Sequence, residues 1–82
     1  MEVVITAKAK KQFAKLPKSY QQRVKKSFSA LGTNPFYGKK LSGDLEGFFA
    51  IRVWPYRIIY EIINRDRKII IVTIAHRQGV YK

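Results

Sequence analysis

The residues best suited to chemistry in this sequence are Arg52, Arg57, Arg77 and Tyr81. Each arginine falls at the end or start of an apolar, β-branched run, and Tyr81 follows the last of these runs. A guanidinium is planar, permanently charged and donates in a fork that matches two phosphate oxygens. Three of them brought together would form a phosphate-binding cluster. The competing reading is structural: the same arginines could pair with Glu46, Glu61 or the C-terminal carboxylate. Spacing alone leaves both open.

Other catalytic arrangements find less support. A nucleophilic triad needs a base oriented by a third group, and the chain has one histidine, no cysteine and five scattered acids. Glu61, Asp66 and His76 are not spaced as metal ligands, so no metal or other cofactor is expected. No paired carboxylates of the glycosidase kind and no glycine-rich phosphate loop are present.

The elements that must position the arginines follow from pattern. Glu2 to Ile5 reads as a strand. Thr6 is placed to cap a helix running to Leu16, with Ala9, Phe13 and Leu16 on one face. Pro17 suits the start of a second helix, in which Tyr20, Val24, Phe28 and Leu31 form an apolar stripe and Gly32 is the expected stop. Residues 34–47 read as a loop carrying Lys39 and Lys40. Phe48 to Val53, Arg57 to Ile63 and Lys68 to Ala75 read as three antiparallel strands, broken at Trp54-Pro55 and at a polar turn over 64–67. The run Ile69 to Ile74 suggests a central strand covered on both faces. The fold class is therefore α+β: strand, helical hairpin, then a three-stranded meander, in one domain spanning 1–82. A meander places the end of its first strand, the start of its second and the end of its third at one edge, so Arg52, Arg57 and Arg77 are expected to converge. By parity with Ile70, Val72 and Ile74, His76 ends an apolar face, where a structural or orienting role is preferred to a catalytic one. Phe13, Phe28, Tyr56 and Tyr60 are core positions with no chemistry assigned.

Charge points to a polyanionic partner without saying which, since nucleic acid, an acidic protein or a membrane surface would each answer it. Seventeen Lys and Arg against five acids give +12 and a pI near 10.3, a field that attracts polyanions. Residues 1–41 hold ten basic residues and one acid, or +9, whereas residues 42–82 hold seven and four, or +3. The helical half thus supplies a broad field, and the sheet half supplies fewer charges at more constrained positions. No apolar run approaches the ~20 residues of a membrane helix, and no signal peptide is expected at the N-terminus. The lack of cysteine fits a reducing cytoplasm.

Three segments carry a family resemblance. Residues 41–49 (Leu41, Gly43, Gly47, Phe49) followed by Ile51-Arg52-Val53, then Tyr56-Arg57-Ile58-Ile59-Tyr60, then His76-Arg77 with Tyr81 resemble, in order and spacing, the motifs of the RelE/ParE superfamily of type II toxins, most nearly its RelE-like branch. That resemblance covers nearly the whole chain. It implies a ribosome-dependent mRNA endoribonuclease working without metal, in which the 2′-hydroxyl attacks the adjacent phosphate to leave a cyclic phosphate and a 5′-hydroxyl. It places Arg57 and Arg77 on the scissile phosphate, with Arg52 beside them. Tyr81 is left as an acid, a base or a stacking platform. Candidate RNA contacts around them are Lys39, Lys40, Trp54, His76 and Lys82. For Trp54 the alternative, packing, is preferred.

Relatives can carry two lysines on the first meander strand, where this chain has Ala50 and Arg52. Lys39 or Lys40 is a candidate replacement from the loop. The implied partners are mRNA on the ribosome with its rRNA, and an acidic RelB-like antitoxin forming a toxin–antitoxin hetero-oligomer. The alternative is a ParE-like toxin that inhibits DNA gyrase by binding; a further alternative is a basic binding module with a purely structural arginine cluster.

Overall fold

The computed structural model describes residues 1–77; Tyr81 and Lys82 lie outside the described residues. Strand β1 (Glu2–Ile5) is followed by helices α1 (Ala7–Ala14) and α2 (Lys18–Thr33), then strands β2 (Lys39–Lys40), β3 (Phe48–Val53), β4 (Tyr56–Ile63) and β5 (Lys68–His76). They form one sheet in the order β1-β5-β4-β3-β2, with β1 parallel to β5 and the other neighbours antiparallel.

Thr6 caps α1, its hydroxyl accepting from Ala9 N at 3.1 Å. Pro17 precedes α2 in an extended conformation suited to a helix start. The expected stop at Gly32 is displaced, because α2 continues through Thr33 and Asn34 becomes extended. Gly32 therefore sits inside the helix. Residues 34–47 are also not wholly loop: Lys39 and Lys40 add a fifth strand beside β3, and Gly43–Leu45 form a 3-10 turn. A two-residue strand carries no periodicity, so only its pairing partner reveals it.

Both helices pack on one face of the sheet. Ala9, Leu16, Val24 and Leu31 meet Ile51, Val53, Ile58, Tyr60, Ile69, Ile71 and Ile74 in a single core. Strand β5 is internal, as expected, but it is not covered equally on both sides. Ile69 and Ile71 are fully buried, whereas Ile70 and Val72 are only half-buried. The helix-free face carries Ala50 and Arg52 from β3, Arg57 and Ile59 from β4, and Thr73 and Ala75 from β5.

A β-bulge in β5 sets that face. Tyr60 opposes Ile71 and Ile59 opposes Thr73, so Val72 is an extra residue. An inserted residue flips every later side chain to the opposite face. Ile74 and His76 consequently share a face with Ile69 and Ile71, not with Ile70 and Val72 as simple parity requires. Helix α1 seals the strand edge there, beyond the end of β1. The Thr6 hydroxyl donates to Val72 O at 3.1 Å, and Gln12 Oε1 accepts from Ile74 N at 2.7 Å and from the Thr73 hydroxyl at 3.0 Å. These contacts satisfy backbone groups of β5 that have no strand partner once β1 ends at Ile5.

Candidate functional site

The β3–β4 hairpin turns at Trp54-Pro55, with Val53 opposite Tyr56 and Arg52 directly opposite Arg57. Paired residues of an antiparallel ladder project to the same face, so both guanidiniums stand on the helix-free side. Arg57 in turn opposes Ala75. Arg77 is tied to the same end of the sheet by its N–H, which donates to Pro55 O at 2.8 Å. Its guanidinium lies 4.9 Å from the centre of the Trp54 ring, within cation–π range. The bulge contributes to this gathering. Without it, Arg77 would take the parity of Ile69 and Ile71, on the helix-packed face.

At Arg52 the structural reading finds no partner among the described residues. Arg52 is exposed and makes no ion pair with Glu46, Glu61 or any other described residue; the Arg65–Asp66 pair, at 3.8 Å, lies at the far end of β4. Trp54 is not the packing residue preferred from sequence. It is 51% exposed, because the two-residue turn projects beyond the core, and its ring contact is with Arg77. His76 is exposed at the end of β5 and stands edge-on to Tyr56, 5.4 Å between ring centres. Tyr56 stands edge-on to Tyr20 of α2. His76 thus sits on the helix side of the sheet, away from the face of Arg52 and Arg57.

Strand β2 brings a further cation to the arginine face. Lys39 pairs with Ala50, and Lys40 with Phe49. Lys39 therefore shares the side of Ala50, Arg52 and Arg57, whereas Lys40 alternates to the other. Tyr37, Gly38, Lys39, Ala50, Arg52 and Arg57 line one open cleft of ≈630 Å³.

The segment ahead of Lys39 is fastened to the sheet by Tyr60, a core residue with a second task. Its hydroxyl donates to Pro35 O and accepts from Gly38 N, each at 2.9 Å. Its ring stacks on Phe49, with centres 5.3 Å apart, and Phe36 closes edge-on against Phe49. Close approach here requires glycine: a Cβ at position 38 would lie 2.7 Å from the Tyr60 hydroxyl and 2.8 Å from Ala50 O. Periodicity reports Tyr60 as core and is silent on its hydroxyl. Tyr37 and Gly38 escaped the sequence reading altogether, although the run Phe36-Tyr37-Gly38-Lys39-Lys40 interleaves aromatic and basic residues.

Burial pushes the Tyr60 phenol above its usual ionisation range, against the opposing pull of the Gly38 N–H. A raised folded-state value means that the native state holds this proton more tightly than the unfolded chain. The corresponding stability is present below about pH 10 and is lost as pH rises through the folded-state value. Stability measured across the alkaline range is therefore expected to fall more steeply for the wild type than for Tyr60→Phe. The variant itself should lose about 1–2 kcal/mol at neutral pH, through its two hydrogen bonds. Parallel alkaline slopes in urea titrations of the two proteins would contradict this account.

Residues 3–81 match the family model of the ParE toxin of type II toxin–antitoxin systems, parDE. Toxin RelE of Mycobacterium tuberculosis is 35% identical over 98% of this chain and 84% of its own length. Toxin RelG of the same organism is 30% identical over 98% of this chain and 94% of its own length. Among solved structures, the toxin–antitoxin complex RelBE2 of M. tuberculosis superposes with a TM-score of 0.82 at 31% identity, covering 93% of this chain and 96% of the matched chain. The E. coli RelE toxin in its intact RelBE complex shares the fold at a TM-score of 0.80 and 20% identity, over 92% of this chain and 94% of that one.

Proposed function

This chain belongs to the ParE toxin family of type II toxin–antitoxin systems, and on that premise we propose that it is a ribosome-dependent mRNA endoribonuclease. One observation carries the reading: Lys39, Arg52 and Arg57 line a single cleft on the open face of the sheet. Two guanidiniums and an ammonium in one cleft suit a phosphodiester gaining negative charge as the 2′-oxygen attacks phosphorus and the P–O5′ bond breaks. Lys39 supplies, from β2, the cation that Ala50 lacks on β3; the two positions are neighbours in the ladder. Arg77, stacked on Trp54, extends the charge along the same edge. Tyr81, within the matched stretch, is assigned to proton transfer or base stacking by resemblance. Lys40, His76 and Lys82 remain proposed RNA contacts by resemblance, with Lys40 and His76 on the opposite face of the sheet from the cleft. Identity of 35% to a toxin named RelE and of 30% to one named RelG supports RNA cleavage over gyrase inhibition.

The partners follow from the same premise. A toxin with a +12 surface calls for an acidic antitoxin that folds as it binds, and the similar RelBE2 structure is a toxin–antitoxin complex. The toxin would act in the cytoplasm, where translating ribosomes are found. Among the described residues no helix is long and apolar enough to cross a membrane.

The test is to add wild-type protein and Arg77→Ala to a cell-free translation reaction and map mRNA ends by primer extension. Wild type is expected to produce new ends only while translation proceeds, and Arg77→Ala to produce far fewer. Absence of translation-dependent cleavage by wild type would overturn the reading. A loss of gyrase supercoiling in its place would favour inhibition of gyrase.

A further inference from the structure

We propose that Tyr37 is a nucleobase platform: its ring stacks on a base of single-stranded RNA whose phosphate lies between Lys39, Arg52 and Arg57. The proposal rests on the RNA-cleaving reading of the cleft and adds to it a subsite for the base.

Tyr37 is 55% exposed and lines the same cleft as the three cations. Among the described residues, the other exposed large aromatics already have contacts, Phe36 edge-on against Phe49 and Trp54 beneath Arg77. Tyr37 has no ring contact among the described residues. Nothing in the core therefore accounts for an aromatic at this position, yet its backbone is firmly held. Its N–H donates to Asn34 O at 3.0 Å, and the Asn34 side chain accepts from Phe36 N at 3.1 Å. On either side, Pro35 O and Gly38 N are bound to the Tyr60 hydroxyl. A ring on a fixed backbone loses little freedom when a ligand stacks on it, which is the economy that makes aromatics good platforms.

The neighbouring chemistry selects the ligand. Cations beside an open aromatic face match a nucleotide, in which a phosphate and a base lie a few ångströms apart. Duplex nucleic acid keeps its base faces stacked inside the helix and cannot offer one to Tyr37. Single-stranded RNA can, and unstacked bases are what proteins reading such strands usually grip.

The experiment measures binding, not cleavage, so that it stands apart from the catalytic reading. A fluorescent oligoribonucleotide of about six nucleotides, within the range of single-stranded sites, is titrated with wild type, Tyr37→Leu, Tyr37→Phe and Arg52→Ala. The titrations are run over a series of salt concentrations, with fold checked by circular dichroism. Tyr37→Leu is expected to weaken binding about 5- to 150-fold, the span of one base–aromatic stack, and to leave the salt slope unchanged because no charge is altered. Tyr37→Phe should stay within about twofold, because it keeps the π-face. Arg52→Ala should lower the slope of log K against log salt by about 0.7, the value for one phosphate contact on a single strand.

Unchanged affinity in Tyr37→Leu alongside a reduced slope in Arg52→Ala would overturn the platform and leave the phosphate cleft standing. Equal losses in the Phe and Leu variants would also overturn it, since the ring would not be the binding element. Equal competition by duplex DNA against every variant would assign the face to duplex and overturn it as well. No measurable binding by wild type even at low salt would remove both the platform and the RNA reading.

Discussion

Replacing Arg57 by alanine is expected to slow mRNA cleavage about 10²–10³-fold, the usual loss when one preorganised donor to a developing oxyanion is removed. The position explains the size of the effect. Arg57 is the second residue of β4, between Arg52 on β3 and Ala75 on β5, so its backbone is held on both sides, and its side chain lines the cleft. Arg57→Lys should recover only part of the rate, because an ammonium keeps the charge and loses the fork. Single-turnover cleavage of mRNA on programmed ribosomes is the measurement, and a rate within about threefold of wild type would exclude Arg57 from transition-state stabilisation. Stability provides a second readout. Arg52 faces Arg57 directly across the ladder, and like charges so placed repel. Arg52→Ala should therefore leave the melting temperature unchanged or slightly raised while activity falls. Sites that keep such a pair trade stability for function.

Gly38→Ala is expected to cost about 1–3 kcal/mol of stability, the range for overpacking a filled site, and to depress cleavage although position 38 carries no reactive group. The added methyl would meet the Tyr60 hydroxyl at 2.7 Å and the Ala50 carbonyl at 2.8 Å. A flexible side chain could yield to it, but a strand carbonyl in mid-sheet cannot. The segment must lift, and Lys39 leaves the arginine face with it. Gly32→Ala is the control. That glycine lies within α2, and a Cβ there would meet only Met1 O, at 3.9 Å. Helix propensity then governs, and a gain of about 0.5–1 kcal/mol is expected. Urea midpoints of the two variants should move in opposite directions, and movement in the same direction would refute the packing argument.

The identity of the elements was largely written in local pattern. The stripe Tyr20, Val24, Phe28 and Leu31 specifies α2, the Thr6 hydroxyl specifies the start of α1, and the β-branched runs specify the three meander strands. Meander connectivity alone brings Arg52 and Arg57 to one end of the sheet, because antiparallel neighbours joined by a short turn must place their facing ends together. Composition fixes the charge, and with it the attraction to polyanions.

What the sequence could not determine is which face each side chain takes after an irregularity, and which segment far along the chain lies beside it. Parity counted along β5 puts His76 with Ile70 and Val72 and sends Arg77 toward the core. The extra residue at Val72 reverses both, and Thr6 and Gln12, from another element, satisfy the strand edge beside it. The two-residue strand β2 is similarly invisible to any periodicity. It is defined by pairing with β3 and by the Tyr60 hydroxyl, so the placement of Lys39 beside Ala50 is a tertiary fact. Local sequence determines what forms, through propensity and period. The register between segments that meet only on folding determines which charges share the cleft.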